Sequence, residues 1–151
     1  MRCTLCPKAV AWIQGGKAYP QIHGLIKFYQ KEDGVIVEAE ITGLPQTETG
    51  YFAFHIHEGN SCIGEGFPRT GSHYNPAGMN HPNHAGDLPP LLSSHGKASM
   101  KVFTNRFTVS EIIGRTVIIH SDPDDFRTQP SGNAGTKIAC GEIQKVSVKA
   151  Q

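Results

Sequence analysis

The chain has 151 residues, with 14 Lys and Arg against 13 Asp and Glu and a formal net charge of +1. This length is enough for a continuous core, so we predict one domain over residues 1–151. The near-neutral charge argues against a nucleic-acid or anionic-membrane binder, because such proteins usually carry a basic patch. Aliphatic runs such as 117–119 are far shorter than the roughly 20 residues that span a bilayer. Eight histidines stand out in this composition, and five of them fall within the segment 55–84.

Short apolar stretches interrupted by Gly, Pro, Asn or Asp recur along the chain, whereas helical periodicity is almost absent. These stretches predict strands, in chain order, at 8–14, 24–30, 35–41, 51–58, 98–104, 115–120 and 138–148. The third of them alternates apolar and acidic residues, which is typical of a half-buried antiparallel strand. Seven or eight short strands at this spacing predict a β-sandwich or a closed barrel.

Two long segments, 59–90 and 121–136, interrupt the succession of strands and are rich in Gly, Pro and Asn. Loops beyond about 12–15 residues in a compact domain are usually functional or disordered. We therefore expect both segments to be ordered by something other than their own core, and metal is the obvious candidate.

His55 and His57 share one face of the fourth predicted strand, because the apolar residues that alternate with them point to the core. An H-x-H pair alone is weak evidence for metal binding, since two exposed histidines on a strand are more often surface residues. His120, at the end of the strand over 115–120, carries equally little weight by itself.

The segment 73–87 is more specific, because three histidines and an aspartate are separated there almost entirely by turn-forming residues. Three imidazoles and one carboxylate would satisfy a tetrahedral zinc ion with no open position. The alternative is a polar loop with chance histidines, although composition alone rarely clusters ligands in this way. The predicted zinc ligands are His73, His81, His84 and Asp87.

Six histidines and one aspartate make seven ligands, whereas two four-coordinate sites need eight. One histidine must therefore serve twice, with a metal at each ring nitrogen. His73 is the natural bridge, because it is the first histidine of the loop and the nearest in sequence to the H-x-H strand. The remaining all-imidazole site suits copper, and its predicted ligands are His55, His57, His73 and His120.

The four cysteines form two groups. Cys62 follows the H-x-H strand and Cys140 lies in the last strand, so a bond between them would tie the metal loop to the barrel wall. Cys3 and Cys6 form a C-x-x-C motif, which could be redox-active or bind metal. At an exposed terminus, an incidental thiol pair is the interpretation we favour.

The sequence resembles the copper/zinc superoxide dismutases in five segments that follow the family's order, whereas the first fifty residues match only in strand pattern. The matching segments are 54–58 (FHIHE), 71–76 (GSHYNP), 84–89 (HAGDLP), 113–120 (IGRTVIIH) and 132–135 (GNAG). The resemblance implies an all-β, eight-stranded Greek-key barrel or immunoglobulin-like sandwich with two long functional loops. It also implies a Cys62–Cys140 disulfide and the copper and zinc assignments given above. Asp124 falls where the family keeps a carboxylate that accepts hydrogen bonds from a copper-bound and a zinc-bound histidine.

The implied function is the disproportionation of superoxide to oxygen and hydrogen peroxide at copper, with His73 as both bridge and general acid. Lys137 stands where the family normally has an arginine that attracts and holds superoxide. Lysine keeps the positive charge but presents a single-point donor on a flexible side chain. We therefore expect Lys137 to attract superoxide but to orient it less well, which would lower the catalytic efficiency. The segment 121–136 also looks short and lacks glutamates, which predicts weaker electrostatic steering.

The alternative is a dismutase-like protein that binds or transfers copper, with Cys3 and Cys6 as its acquisition site. Lys137 and the C-x-x-C motif favour it, whereas the intact ligand set opposes it. The expected partner is superoxide, and a second copy in a homodimer is a further option. Neither nucleic acid nor a membrane is expected as a partner. The sequence shows no signal peptide, which favours the cytoplasm; the location is extracytoplasmic if a signal was removed. His23 and His95 are predicted to be surface residues.

Overall fold

Eight antiparallel strands form a single sheet in the computed structural model, which describes residues 5–147. The strands are β1 (Ala9–Gly15), β2 (His23–Gln30), β3 (Val35–Thr42), β4 (Tyr51–His57), β5 (Asp87–Leu92), β6 (Ala98–Thr104), β7 (Thr116–His120) and β8 (Lys137–Lys145). Their order in the sheet is β5-β4-β7-β8-β1-β2-β3-β6. Because β5 also lies beside β6, the sheet curls into a nearly closed barrel.

The pairings of β3 with β6, β4 with β7 and β8 with β1 join strands that are not consecutive in the chain. Such returns are the mark of Greek-key connectivity. The prediction of an all-β, eight-stranded Greek-key barrel is therefore confirmed.

The core fills the barrel with the inward-facing residues of every strand. In β3, Val35, Val37, Ala39 and Ile41 are buried, while the intervening side chains are half-buried or exposed. This is the alternation that the sequence predicts for a strand with one face in the core and one in solvent.

Strands β4 and β7 differ from β3 because both of their faces are covered. Phe54 and Ile56 of β4 and Val117 and Ile119 of β7 point into the barrel core. Their neighbours on the opposite face are also buried, beneath the two long loops. The metal-ligand candidates of these strands therefore lie outside the barrel core but away from solvent.

Strand β5 corrects the sequence prediction, which places residues 59–90 in one long loop. The loop ends at Gly86, and the chain then pairs with β4 from Asp87 to Leu92. Pro89 and Pro90 conceal this strand in the sequence, because proline is expected only at the edge of a sheet. Among the described strands β5 does lie at one end of the sheet order, with ladder pairing to β4 alone.

A short helix, α1 (Val109–Ile112), was also absent from the prediction. It begins with a capping box, in which Glu111 accepts a hydrogen bond from the Thr108 amide at 2.9 Å. The single helical turn is too short to give the periodic pattern by which a helix is recognised. Within residues 5–147, no helix has the length and hydropathy needed to cross a bilayer.

The Cys62–Cys140 disulfide predicted from the resemblance is present and joins the first long loop to β8. Beside it, Phe67 and Ile118 form a small second core with the two half-cystines. Cys3 lies outside the described residues. Cys6 does not carry a free thiol, so the interpretation of the C-x-x-C motif as an incidental thiol pair is not supported.

Candidate metal centre

Four buried histidines converge on the outer face of β4 and β7. His55 and His57 come from β4, His120 comes from the end of β7, and His73 reaches them from the first loop through an isolated bridge with His57. One ligand atom of each residue lies within 4.8 Å of the others. This is the set that the sequence predicts for copper.

A second group converges around the Asp87 carboxylate, at the start of β5. Oδ1 lies 2.8 Å from His73 Nδ1, and Oδ2 lies 3.0 Å from His81 Nδ1 and 3.2 Å from His84 Nδ1. His73 Nδ1 is also 3.2 Å from His84 Nδ1. The four residues predicted for zinc are therefore brought together. His55 also lies within 4.8 Å of His73, His81 and Asp87, so the two groups adjoin closely.

In two of these imidazoles, a hydrogen bond at one ring nitrogen leaves the other ring nitrogen facing the centre of the histidine cluster. His57 Nδ1 donates to the Gly71 carbonyl at 2.8 Å, and His55 Nε2 donates to Asp124 at 2.8 Å. The remaining nitrogens, His57 Nε2 and His55 Nδ1, then carry lone pairs toward the centre. A metal ion is the usual partner for an imidazole oriented in this way.

The donor set fits metal ions better than it fits a network of hydrogen bonds. His55 Nδ1 and His73 Nε2 are buried without a hydrogen-bond partner, which costs about 1–3 kcal/mol for each group unless something else binds it. A tetrahedral ion with bonds near 2.0–2.1 Å needs ligand atoms about 3.3 Å apart. His57 Nε2 and His120 Nε2 are 3.3 Å apart, and the contacts around Asp87 are of similar length.

The Asp124 carboxylate is hydrogen-bonded to one histidine of each group. Its Oδ2 accepts the hydrogen bond from His55, and its Oδ1 accepts one from His81 Nε2 at 2.7 Å and one from the Phe126 amide at 2.8 Å. Burial alone would raise the pKa of Asp124, but these hydrogen bonds outweigh it and lower the pKa to about 2. The carboxylate is therefore ionised and accepts from both histidines, as the resemblance implies.

Gly132 makes room for this arrangement. Its φ is +76°, and a side chain there would collide with the Asp124 carboxylate and with the ring of His81. Glycine tolerates both the conformation and the close approach, so the second loop can close over Asp124.

Burial favours the neutral form of His55, His57 and His120. It lowers the pKa of His57 to about 2 and that of His120 to about 3, and it lowers the pKa of His55 as well. Neutral imidazole is the form that binds a metal ion, so these side chains are ready to ligate at neutral pH.

A cleft of about 490 Å³ opens beside the copper-side group and is lined by His57, His73, His120 and Lys137. Lys137 is the only lysine or arginine among its described lining residues. Its Nζ donates to Thr70 Oγ1 at 2.8 Å and to the Gly71 carbonyl at 3.2 Å. Burial lowers the pKa of Lys137 from its usual value.

Three supporting residues have no signal in the sequence. Thr70 contacts Lys137, Gln129 binds the backbone of His81, and Arg106 donates to the carbonyls of Pro82 and His84 at 2.8 and 3.2 Å. None of them belongs to a ligand motif, and each acts through a contact between segments that are distant in sequence. His23 and His95 are exposed, as predicted.

Comparison with known proteins agrees with this geometry. Residues 22–143 match the family model described as copper/zinc superoxide dismutase. A superoxide dismutase [Cu-Zn] 2 of Aquifex aeolicus is 32% identical over 139 residues, covering 82% of this chain and 80% of the relative. A superoxide dismutase [Cu-Zn] 3 of Arabidopsis thaliana is 35% identical over 157 residues, covering 90% of this chain and 89% of the relative.

A solved structure of a SOD-like protein from Bacillus subtilis superimposes with a TM-score of 0.76 at 27% sequence identity, covering 88% of this chain and 96% of that one. The fold, the histidine clusters, the Cys62–Cys140 disulfide and the family match lead to one assignment. The chain belongs to the copper/zinc superoxide dismutase family, and it is an oxidoreductase of that family whose cofactors are copper and zinc.

Proposed function

We propose that this protein disproportionates superoxide to oxygen and hydrogen peroxide at copper, with a structural zinc ion joined to it through His73. Copper is held by His55, His57, His73 and His120, and zinc is held by His73, His81, His84 and Asp87. The observation that carries the proposal is the placement of His73. Its Nδ1 faces the Asp87 group, while its Nε2 is buried without a hydrogen-bond partner, as expected of a ring that ligates on both sides.

Bound copper supplies one-electron chemistry, taking an electron from one superoxide and giving it to the next, so that two superoxide anions and two protons become oxygen and hydrogen peroxide. The protein must bring the anion in, deliver protons and keep the ligands in place. The cleft beside His73 and Lys137 is suited to the first two tasks.

His73 is the candidate for proton delivery. Nδ1 lies 2.8 Å from Asp87, so Nε2 is the ring atom that could hold a proton and pass it on while it is not bound to copper. Because His73 also lines the cleft, a proton held at Nε2 lies within reach of an anion that enters there.

Lys137 is the candidate for anion attraction. A half-buried ammonium group that lines a cleft attracts anions more strongly than one on the open surface. It offers one point charge where a guanidinium would offer a planar fork, so we propose that the enzyme is less efficient than a variant with arginine at this position.

The test is a metal-loaded protein assayed for superoxide removal by stopped flow, with copper and zinc counted by elemental analysis. We expect one copper and one zinc per chain and a large acceleration of superoxide decay. Lys137→Met should slow the reaction about tenfold and weaken its salt dependence, while Lys101→Met, a matched charge change on β6, should do neither.

Three outcomes would contradict the proposal: zinc binding without copper, a copper-loaded protein that does not remove superoxide, or equal rates for the two lysine variants. Copper release to a thiol chelator is measured in parallel. Release without dismutation would favour the copper-transfer alternative.

A further inference from the structure

We infer that Thr70 is a positioning residue that anchors the Lys137 ammonium at the wall of the cleft, an inference that rests on the proposed function of Lys137. The two residues are distant in sequence, and no ligand motif includes Thr70. It lies at the end of the 3₁₀ turn Pro68–Thr70 and is fully buried.

The Thr70 hydroxyl can act toward Lys137 only as an acceptor. A hydroxyl has one hydrogen, and Thr70 Oγ1 donates it to the Phe67 carbonyl at 2.8 Å. The oxygen then accepts from Lys137 Nζ, also at 2.8 Å. The Phe67 carbonyl can only accept and the Lys137 ammonium can only donate, so the direction of both hydrogen bonds is fixed. The hydroxyl cannot rotate away without leaving its own buried hydrogen unpaired.

Lys137 is held at a second point, because its Nζ also donates to the Gly71 carbonyl at 3.2 Å. An ammonium group has three N–H bonds. Two of them are engaged by consecutive residues of the first loop, which leaves one for an anion in the cleft. A flexible lysine is thereby given a preferred direction that its own stem does not provide.

The anchor is rigid because the backbone around Thr70 is itself bonded. The Gly59 amide donates to the Thr70 carbonyl at 2.8 Å, and the Thr70 amide donates to the Phe67 carbonyl at 3.3 Å. The Gly71 carbonyl that holds Lys137 also accepts from His57 Nδ1 at 2.8 Å. The Lys137 ammonium and the ring of His57 are therefore both hydrogen-bonded to the Gly71 carbonyl.

Thr70→Val tests the anchor, because it removes the hydroxyl and keeps the branched shape, while Thr70→Ser keeps the hydroxyl. In metal-loaded protein, we expect Thr70→Val to lower kcat/KM about three- to tenfold and to weaken inhibition by azide by a similar factor. Thr70→Ser should restore both values to near those of the unmodified chain. Metal content is measured for each variant.

The decisive comparison repeats the substitution in a Lys137→Met background. If Thr70 acts through Lys137, Thr70→Val has no further effect there, since the group that it positions is gone. An equal loss in both backgrounds would show that Thr70 only supports the fold and would overturn the inference. Where Thr70→Val does not load with metal, Thr70→Ala serves in the same cycle.

A second readout does not depend on catalysis. Exchange of the Lys137 ammonium protons with water, followed by NMR on metal-free protein, should be faster in Thr70→Val than in Thr70→Ser. Equal exchange in the two variants would contradict the anchor. If the loaded protein failed to remove superoxide, the proposed function would fall, while this measurement would still decide whether Thr70 holds Lys137.

Discussion

Gln129 and His81 exchange a pair of hydrogen bonds: the His81 amide donates to Gln129 Oε1 at 2.9 Å, and Gln129 Nε2 donates to the His81 carbonyl at 2.7 Å. The Gln129 side-chain amide thus pairs with both the backbone N–H and the backbone C=O of His81, a zinc-ligand candidate, in the way that a neighbouring strand would. Since Gln129 belongs to the second long loop, that loop fixes the backbone of the first, independently of the contact between Asp124 and the His81 ring.

We expect Gln129→Ala to weaken zinc binding by roughly 10–100-fold, the range typical of groups that orient metal ligands. Zinc affinity is measured by competition with a chromophoric chelator. Gln144→Ala, at an exposed position of β8, is the matched control and should not change it. An unchanged affinity in Gln129→Ala would show that His81 holds its position without the second loop.

Asp124→Asn should weaken both metal sites. An asparagine has one acceptor oxygen, so its amide nitrogen would face the N–H of either His55 or His81. We expect zinc affinity to fall by at least 10-fold and the visible spectrum of bound copper to shift. Asp125→Asn, whose carboxylate accepts from Arg127 and Thr128, is the control for general loosening of the loop. Equal effects of the two substitutions would contradict a specific role for Asp124.

The stability of the metal-free protein should fall as the pH falls below about 7. Burial lowers the pKa of His57 to about 2 and that of His120 to about 3, so near pH 5 these two groups are neutral when folded and protonated when unfolded. Burial also lowers the pKa of His55, which acts in the same direction. Each such group removes up to about 1.4 kcal/mol of unfolding free energy per pH unit below 6.5. Urea denaturation at pH 7.0, 5.5 and 4.5 measures the slope, and a flat profile would contradict the assignment.

Protonation of Asp124 should lower the free energy of unfolding further at lower pH. With a folded pKa of about 2 and an ordinary value of 3.8, its contribution is present above about pH 4 and is lost between pH 4 and 2. Asp124→Asn should therefore reduce the dependence of stability on pH in that interval.

Removing the Cys62–Cys140 disulfide should lower the free energy of unfolding by about 4–5 kcal/mol, because the bond closes a loop over a separation of 78 residues. The double variant Cys62→Ser, Cys140→Ser is compared with the unmodified protein by denaturant titration. A loss under about 1 kcal/mol would mean that the packing of Phe67 and Ile118 suffices to hold the first loop.

Lys137→Arg should raise kcat/KM by a few-fold, because a guanidinium presents two donors to an anion where the ammonium has one free. The rate is measured in metal-loaded protein at two ionic strengths, with Lys101→Arg as the control on β6. A lower rate in Lys137→Arg would show that the Thr70 and Gly71 contacts suit lysine specifically.

The sequence predicts the barrel strands well, and it also predicts which residues the fold brings together at the site, because each has a local signature. Alternation marks β3, and the close spacing of His73, His81, His84 and Asp87 marks the second group, which the fold brings together as expected. Strand β5 was missed because its prolines suggest a turn, and only the pairing with β4 makes it a strand.

The supporting contacts could not be predicted, since each depends on tertiary proximity. Thr70 and Lys137 are 67 positions apart, and Gln129 and His81 are 48 positions apart. Neither Thr70 nor Gln129 is a residue type that indicates a metal site. Asp124 was found only through its position in a family pattern, because nothing in its immediate sequence links it to two histidines.

The double burial of β4 bears on how the protein can change over evolution. Phe54 and His55 are neighbours that serve different purposes, since Phe54 packs inside the barrel and His55 lies in the metal centre. Substitutions are therefore constrained on both faces of this strand. In a saturation library, β4 should be intolerant at successive positions. By contrast, β3 should accept replacements at every second residue, where Glu38 and Glu40 lie outside the core. New activities on this scaffold would then arise in the two loops, and the strands beneath them would stay constant.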